Sequence, residues 1–250
     1  MDKEELTEKA IEETREEIKD SFSRDKFMVK AVNQLDELNN NLNEEMERFR
    51  DWYSLHFPEL EKEIAEDEHL MKILSNGLER SQLDSFSEMA ENSTGAAMTE
   101  EDRKMMKQVF DHIQQKNKLR QELESYIQNI AEQEMPNLET LLGPLLAARL
   151  VSLAGGLEEL AKKPSSTVQM YGAEKALFRF LRGNGTPPKH GIIFEHSYVN
   201  KLPEDKRGKM ARFLANKATI AAKLDQYGDK HKGEELREEC RQKFEELNED

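Results

Sequence analysis

A chain of 250 residues with 51 Asp/Glu against 37 Lys/Arg carries a formal net charge of −14, and it is 36% apolar and 35% charged. That length allows one or two domains, and the balance fits elongated helices better than a compact sandwich or barrel. One cysteine, Cys240, excludes an intramolecular disulfide framework and points to a reducing compartment. No stretch approaches the roughly 18 apolar residues needed to span a bilayer, and the acidic N-terminus has no signal-peptide core. A soluble, intracellular protein without membrane partners is expected. Cys240 sits in a run of charged residues and is expected to be incidental.

Residues 1–25 form a charged segment with apolar positions only at Leu6, Ala10, Ile11 and Ile18, enough for a solvent-washed helix or a frayed end. From Phe27 a heptad begins. Met28, Leu35, Leu42, Phe49 and His56 occupy one position, and Ala31, Leu38 and Trp52 the other. Glu45 breaks the second series, with Met46 beside it. A seam of this width belongs to a helix packed along another helix. Pro58 ends or kinks it, since proline lacks the amide donor and clashes with the previous turn.

Between 60 and 100 the helical patterns are short, broken at Asn76-Gly77 and from Asn92 to Gly95. Thr99 before Glu100, Glu101 and Asp102 predicts a helix N-cap with acidic residues in the first turn. The following helix, about 103–134, carries Met106, Val109, Ile113, Leu123, Ile127 and Ile130 on one side, interrupted by Lys116 and Arg120. Two long amphipathic helices with a broken middle predict an antiparallel hairpin over 26–134. It serves either as a structural stalk or as a dimerisation arm.

Pro136 opens a less charged region punctuated by Gly155-Gly156 and Pro164 into short helices. Only GIIFEHSYV resembles a strand, so the fold class is all-α: a long antiparallel helical hairpin (coiled coil), then a compact helical domain over 135–250.

Charge reverses inside that second domain. Between Lys162 and Lys232 there are fifteen Lys/Arg against six Asp/Glu. Positive charge concentrated on an otherwise acidic protein is the electrostatic footprint of phosphate-backbone binding. In GAEKALFRFLRGNG, Lys175, Arg179 and Arg182 fall at i, i+4 and i+7, one helical stripe, while Ala173, Ala176, Leu177 and Phe180 mark an apolar face. Free amides at the helix start near Gly172 add to the anion site. The turn GTPPKHG then presents Lys189 and His190. In the helix from about 203 to 227, Lys209, Arg212, Asn216, Thr219 and Lys223 lie within about 80° of one another, opposite Met210, Phe213, Leu214, Ala221 and Leu224. Lys217 falls inside the apolar arc, either snorkelling to the surface or serving structure or RNA.

No catalytic chemistry emerges. There is no HExxH or CxxC to support a metal at His190 and His196, no GxSxG elbow, no GxGxxG and no second cysteine. Neither metal nor cofactor is expected.

GAEKALFRFL, GTPPKHGIIFEH and RGKMARFLANKATIAAKLD, in this order and spacing, resemble the Nop domain. PNLETLLGPLLAARLVSLAGGLEELAKKPSSTVQMYGAEK and RDWYSLHFPEL match the same family. The likeness runs from about Lys26 to Phe244 and lies nearest the archaeal Nop proteins of box C/D ribonucleoproteins, related to nucleolar Nop proteins and a spliceosomal Nop-domain factor. It implies a non-catalytic scaffold whose coiled coil pairs two copies as a homodimer. Its Nop domain grips a kink-turn in a box C/D guide RNA already held by a ribosomal-type kink-turn-binding protein, and the particle guides 2′-O-methylation by fibrillarin during rRNA processing. By resemblance the RNA-facing positions are Lys175, Arg179, Lys189, His190, His196, Arg207, Lys209 and Arg212, and the helical stripes add Arg182 and Lys223. His196 and Arg207 rest on resemblance alone. Archaeal members carry a fibrillarin-docking domain ahead of the coiled coil, and only about two dozen residues stand there in this sequence. Fibrillarin binding is therefore expected to be doubtful, with a spliceosome-like or repurposed module that recruits no methyltransferase as the alternative. The absence of a basic C-terminal tail favours an archaeal source and a cytoplasmic location; a eukaryotic member would be nucleolar.

Overall fold

The computed structural model describes residues 23–249 and the isolated positions 9, 11, 12, 14 and 15. The expectation for the segment 1–22 otherwise lies outside the described residues. Every regular element among the described residues is helical. The chain divides into two compact units, one of residues 35–123 and one of residues 1–34 with 124–250.

In the first unit, residues 35–53 of α1 (Arg24–Tyr53) and residues 100–123 of α5 (Glu100–Glu134) supply the two arms of the hairpin. Between them come α2 (Pro58–Glu63), α3 (Asp67–Leu74) and α4 (Ser87–Glu91). The heptad behaves as its spacing requires: Leu35, Leu42, Phe49, Leu38 and Met46 are buried. Phe49 meets Phe110 at 5.3 Å between ring centroids, and Glu45 meets Lys116 at 2.5 Å. Ascending numbers on one helix thus oppose descending numbers on the other, an antiparallel pair. The second seam breaker, Arg120, reaches Glu68 at 2.7 Å. The start of α5 is a reciprocal cap: Thr99 Oγ1 accepts from the Asp102 amide at 3.2 Å, and Asp102 Oδ2 accepts from the Thr99 amide at 3.0 Å. Pro58 does not kink α1; the helix ends at Tyr53 and Pro58 starts α2, where its missing amide costs nothing.

The second unit is built around α12 (Glu204–Tyr227). Ahead of it run α6 (Pro136–Leu142), α7 (Pro144–Ala154), α8 (Leu157–Lys162), α9 (Ser165–Met170), α10 (Glu174–Leu181) and α11 (Ser197–Asn200); α13 (Gly233–Glu249) follows. Ala211, Ala215, Ala218, Ala221 and Ala222 are all buried, and these small side chains let α6, α8, α9 and α13 close around α12. Met210 and Leu214, fully buried among them, each contribute about 1.5–3 kcal/mol of apolar burial. Two carboxylates cap short helices from far away in sequence. Asp225 accepts from the amides of Asn137 and Leu138 at 3.0 and 2.9 Å, and Asp25 accepts from the Leu157 amide at 2.8 Å. Each satisfies amides that a helix start leaves without intrahelical partners.

GIIFEHSYV folds as a 3-10 turn, Ile192–Glu195, and the short helix α11, as the all-α reading requires. One expectation is corrected here. Cys240 is not incidental: it is fully buried on α13 in line with Leu236 and Leu247, and burial pushes its thiol up to about 12.

Candidate nucleic-acid interface

Gly172, at φ +82°, turns the chain into α10, and its amide donates to Glu174 Oε1 at 2.9 Å. Lys175, Arg179 and Arg182 are exposed, and among the described residues no ion pair engages them. Beside them the apolar side differs from the expected one. Ala173 is buried, but Phe178, Phe180 and Leu181 are 59%, 37% and 67% exposed. This amphipathic helix therefore shows aromatic faces and cations to the same solvent, a combination suited to stacking on bases while tracking phosphates.

The GTPPKHG turn is seated by backbone contacts. Gln169 Nε2 donates to the Lys189 carbonyl at 2.6 Å, the Gly191 amide to the Gln169 carbonyl at 2.9 Å, and the Ile192 amide to the Tyr171 carbonyl at 2.8 Å. At Gly191 a β-carbon would stand 1.8 Å from the Tyr171 carbonyl oxygen, and at Gly172 one would stand 2.2 Å from Ile192 Cγ2. On its other side the turn meets α12, where the Lys189 Cβ would lie 3.4 Å from a β-carbon on Gly208. The beginnings of α10 and α12 are thus gathered around one turn, with Lys175, Lys189 and Lys209 at the three approaches.

On α12 itself Lys209, Arg212, Asn216 and Lys223 are exposed as their spacing predicts. Thr219 is not: it is buried, its Oγ1 donating to the Ala215 carbonyl at 2.9 Å, and Ile220 takes its place on the exposed stripe. Lys223 lies fourteen residues beyond Lys209, about 21 Å along the axis at 1.5 Å per residue, so it marks the far end of the surface. Lys217 resolves as structural, its ammonium bound to Glu239 of α13 and lying 5.5 Å from the Phe213 ring centroid.

The two histidines differ. His190 stacks on Phe194 at 4.7 Å between centroids; burial first, then Arg207 and Lys189, hold its pKa below the usual value. His196 Nδ1 accepts from the Tyr198 amide at 3.2 Å and so caps α11. Its pKa is also lowered, by burial, against a backbone hydrogen bond at Leu141. Arg207 is half-buried, and its guanidinium donates to the Leu202 and Asn200 carbonyls. Sequence reasoning did not reach Phe178, Gln169 or Gly191; the two glycines flanking the turn were the available signal.

A family model described as "Nop: snoRNA binding domain, fibrillarin" matches residues 34–246. The chain belongs to the Nop family. It is 37% identical to a NOP5 family protein of Methanocaldococcus jannaschii across 97% of this chain and 60% of the relative. It is 37% identical to nucleolar protein 58 of Schizosaccharomyces pombe over 84% of this chain and 44% of that one. With nucleolar protein 56 of Bos taurus it shares 31% identity over 92% and 42%. The chain therefore spans less than two thirds of the length of these curated Nop relatives. Among solved structures it is similar to the crystal structure of a fibrillarin/Nop5p complex, with a TM-score of 0.58 and 27% identity, covering 97% of this chain and 77% of that one. The expectation that fibrillarin is a doubtful partner is corrected by this likeness, because 97% of this chain aligns with a chain of a structure solved as a fibrillarin/Nop5p complex. No helix among the described residues is long and apolar enough to cross a membrane.

Proposed function

We propose that this chain is a non-catalytic, RNA-binding scaffold of a box C/D small ribonucleoprotein, with fibrillarin among its partners. The observation that carries the reading is the gathering of α10, the 189–194 turn and the head of α12 into one exposed, cation-bearing surface. It lies within the segment that matches the snoRNA-binding family model. Lys175, Arg179, Arg182, Lys189, His190, Lys209 and Arg212 contact the RNA, and Lys223 extends the track. A backbone-tracking surface of this kind fixes register and orientation, so recognition is of a kink-turn already held by its ribosomal-type protein. The scaffold then places fibrillarin for 2′-O-methylation. In a eukaryotic cell its site of action is the nucleolus, and in an archaeon the cytoplasm. Two copies pair through the hairpin, where Met105, His112 and Leu119 stand exposed at seven-residue spacing on α5.

The test is gel-shift assembly on a box C/D RNA with and without the kink-turn protein, followed by fibrillarin pull-down. Weak binding alone, tight binding with that protein, and retention of fibrillarin are expected. RNA affinity indifferent to the kink-turn protein defeats the composite-surface reading, and loss of fibrillarin from the assembled particle defeats the scaffold reading.

A further inference from the structure

Arg207 is in the cationic head of α12, yet its guanidinium is turned inward. Nε donates to the Leu202 carbonyl at 2.8 Å and Nη2 to the Asn200 carbonyl at 3.4 Å. Both acceptors lie at or just past the C-terminal end of α11, where helix carbonyls lack intrahelical partners and a cation is favoured. The guanidinium carbon also lies 5.3 Å from the centroid of the Phe194 ring. That ring is the one on which His190 stacks, with 13° between the planes. A continuous chain of contacts therefore runs from α12 through Arg207 and Phe194 to His190. One residue further on each side, Lys189 lies against Gly208.

The backbone bonds to Gln169 and Tyr171 hold the main chain of the turn, and Lys189 Nζ lies 4.0 Å from Glu204 Oε1. Among the described residues, Phe194 stacks on the imidazole on one side and meets the Arg207 guanidinium, a side-chain column that helps fix where the imidazole stands. With Nε and Nη2 directed at carbonyls and its carbon facing the Phe194 ring, the guanidinium is turned into the protein, whereas Lys209 and Arg212 are exposed on the same helix.

We propose that Arg207 is a positioning residue of the RNA surface rather than an RNA contact: its guanidinium clamps Phe194, and through it His190, so that His190 and Lys189 are held beside Lys209 and Arg212. This rests on the RNA-binding reading above.

The experiment uses the full chain with a box C/D RNA and the kink-turn protein, and compares Arg207→Gln, Arg207→Lys, Phe194→Leu and Lys209→Ala. For a positioning residue, Arg207→Gln weakens binding about three- to tenfold, the range of a partly desolvated cation–π contact, with the slope of log affinity against log salt unchanged. Lysine does not rescue, because it lacks the planar fork. Phe194→Leu, which removes no charge, reproduces the loss, and the double variant Phe194→Leu/Arg207→Gln loses no more than either single one. Lys209→Ala, by contrast, lowers the slope by roughly 0.7–0.9, one phosphate contact. A slope that falls for Arg207→Gln and recovers for Arg207→Lys overturns the proposal.

The His190 ring resonance of the free protein is recorded before RNA is added, and both Arg207→Gln and Phe194→Leu should shift it. An unmoved resonance shows that no clamp exists. A shifted resonance in a protein whose wild type binds no RNA shows instead that the functional reading has failed, and the role given to the clamp with it.

Discussion

Glu45 and Lys116 each break the apolar seam of their own helix, and each is the other's partner, Nζ to Oε1 at 2.5 Å with less than a third of either side chain exposed. Two irregularities 71 residues apart become one feature of the first unit. The pair fixes which turn of α1 faces which turn of α5, since a shift of one turn would strand both charges among apolar neighbours.

Removing one partner should therefore cost more than removing both. Lys116→Met is expected to destabilise the protein by about 1–3 kcal/mol, because Glu45 keeps its desolvation without its hydrogen bond. The double variant Glu45→Leu/Lys116→Met should recover most of the loss. Urea midpoints of the two single variants and the double decide it; an additive double variant rejects the pairing argument.

Acid should loosen the segment between α4 and α5. Glu59 accepts from Ser93 Oγ at 2.6 Å and from the Thr94 amide and hydroxyl, each at 2.8 Å. The Ser93 bond first, then the Thr94 amide, lower its pKa from 4.5 to about 2. A carboxylate depressed on folding stabilises above its unfolded value and loses that contribution as pH falls through the folded one. The protection of the Thr94 amide, its exchange rate taken relative to the intrinsic rate at each pH, should fall as pH drops from about 4.5 to 2 in the wild type and show no such titration in Glu59→Gln.

Asp225 has the opposite sign. Burial raises its pKa, with the Asn137 and Leu138 amides acting against that rise. Its favourable contribution is complete below the ordinary carboxylate range and declines as pH rises through the elevated folded value. Asp225→Ala should destabilise by about 1–3 kcal/mol, since two helix-start amides lose their acceptor. The gap between wild type and variant should narrow, not widen, from pH 4 towards neutrality in thermal unfolding.

On the RNA surface, Lys209→Ala with Arg212→Ala should reduce the salt slope by roughly 1.4–1.8, two phosphate contacts. Filter binding of the complex at four or more salt concentrations measures it, and an unchanged slope removes both residues from the interface.

Native Cys240 should resist alkylation, because its thiol is buried and pushed up to about 12 and only the thiolate reacts. Iodoacetamide labelling that tracks global unfolding is the expected outcome; rapid labelling of the folded protein contradicts the burial.

Periodicity made the long helices readable: α12 begins beside Pro203 and ends at Tyr227, and the seam from Leu35 to Phe49 is buried as its spacing requires. Where a residue satisfies itself locally, the pattern misleads. Thr219 looked polar and therefore exposed, yet its hydroxyl bonds back to Ala215 one turn earlier and travels into the core. Cys240 was masked because α13 buries only a narrow line of Leu236, Cys240 and Leu247 among charged neighbours. Arg207 was legible as a cation but not as a clamp, since its partners Asn200, Leu202 and Phe194 reach it only after the chain has turned back through α11. Phe178 and Leu181 defeated the rule that apolar faces turn inward.

Gly172 and Gly191 carry nothing that could meet a nucleic acid, yet neither site has space for so much as a methyl group. Alanine at Gly191 would drive the 189–194 segment off Tyr171 and carry Lys189 and His190 away from α12 while leaving every cation in the chain intact. Damage to such a binder can therefore come from added bulk as readily as from lost charge, and a survey confined to lysines and arginines would overlook the positions on which their alignment depends.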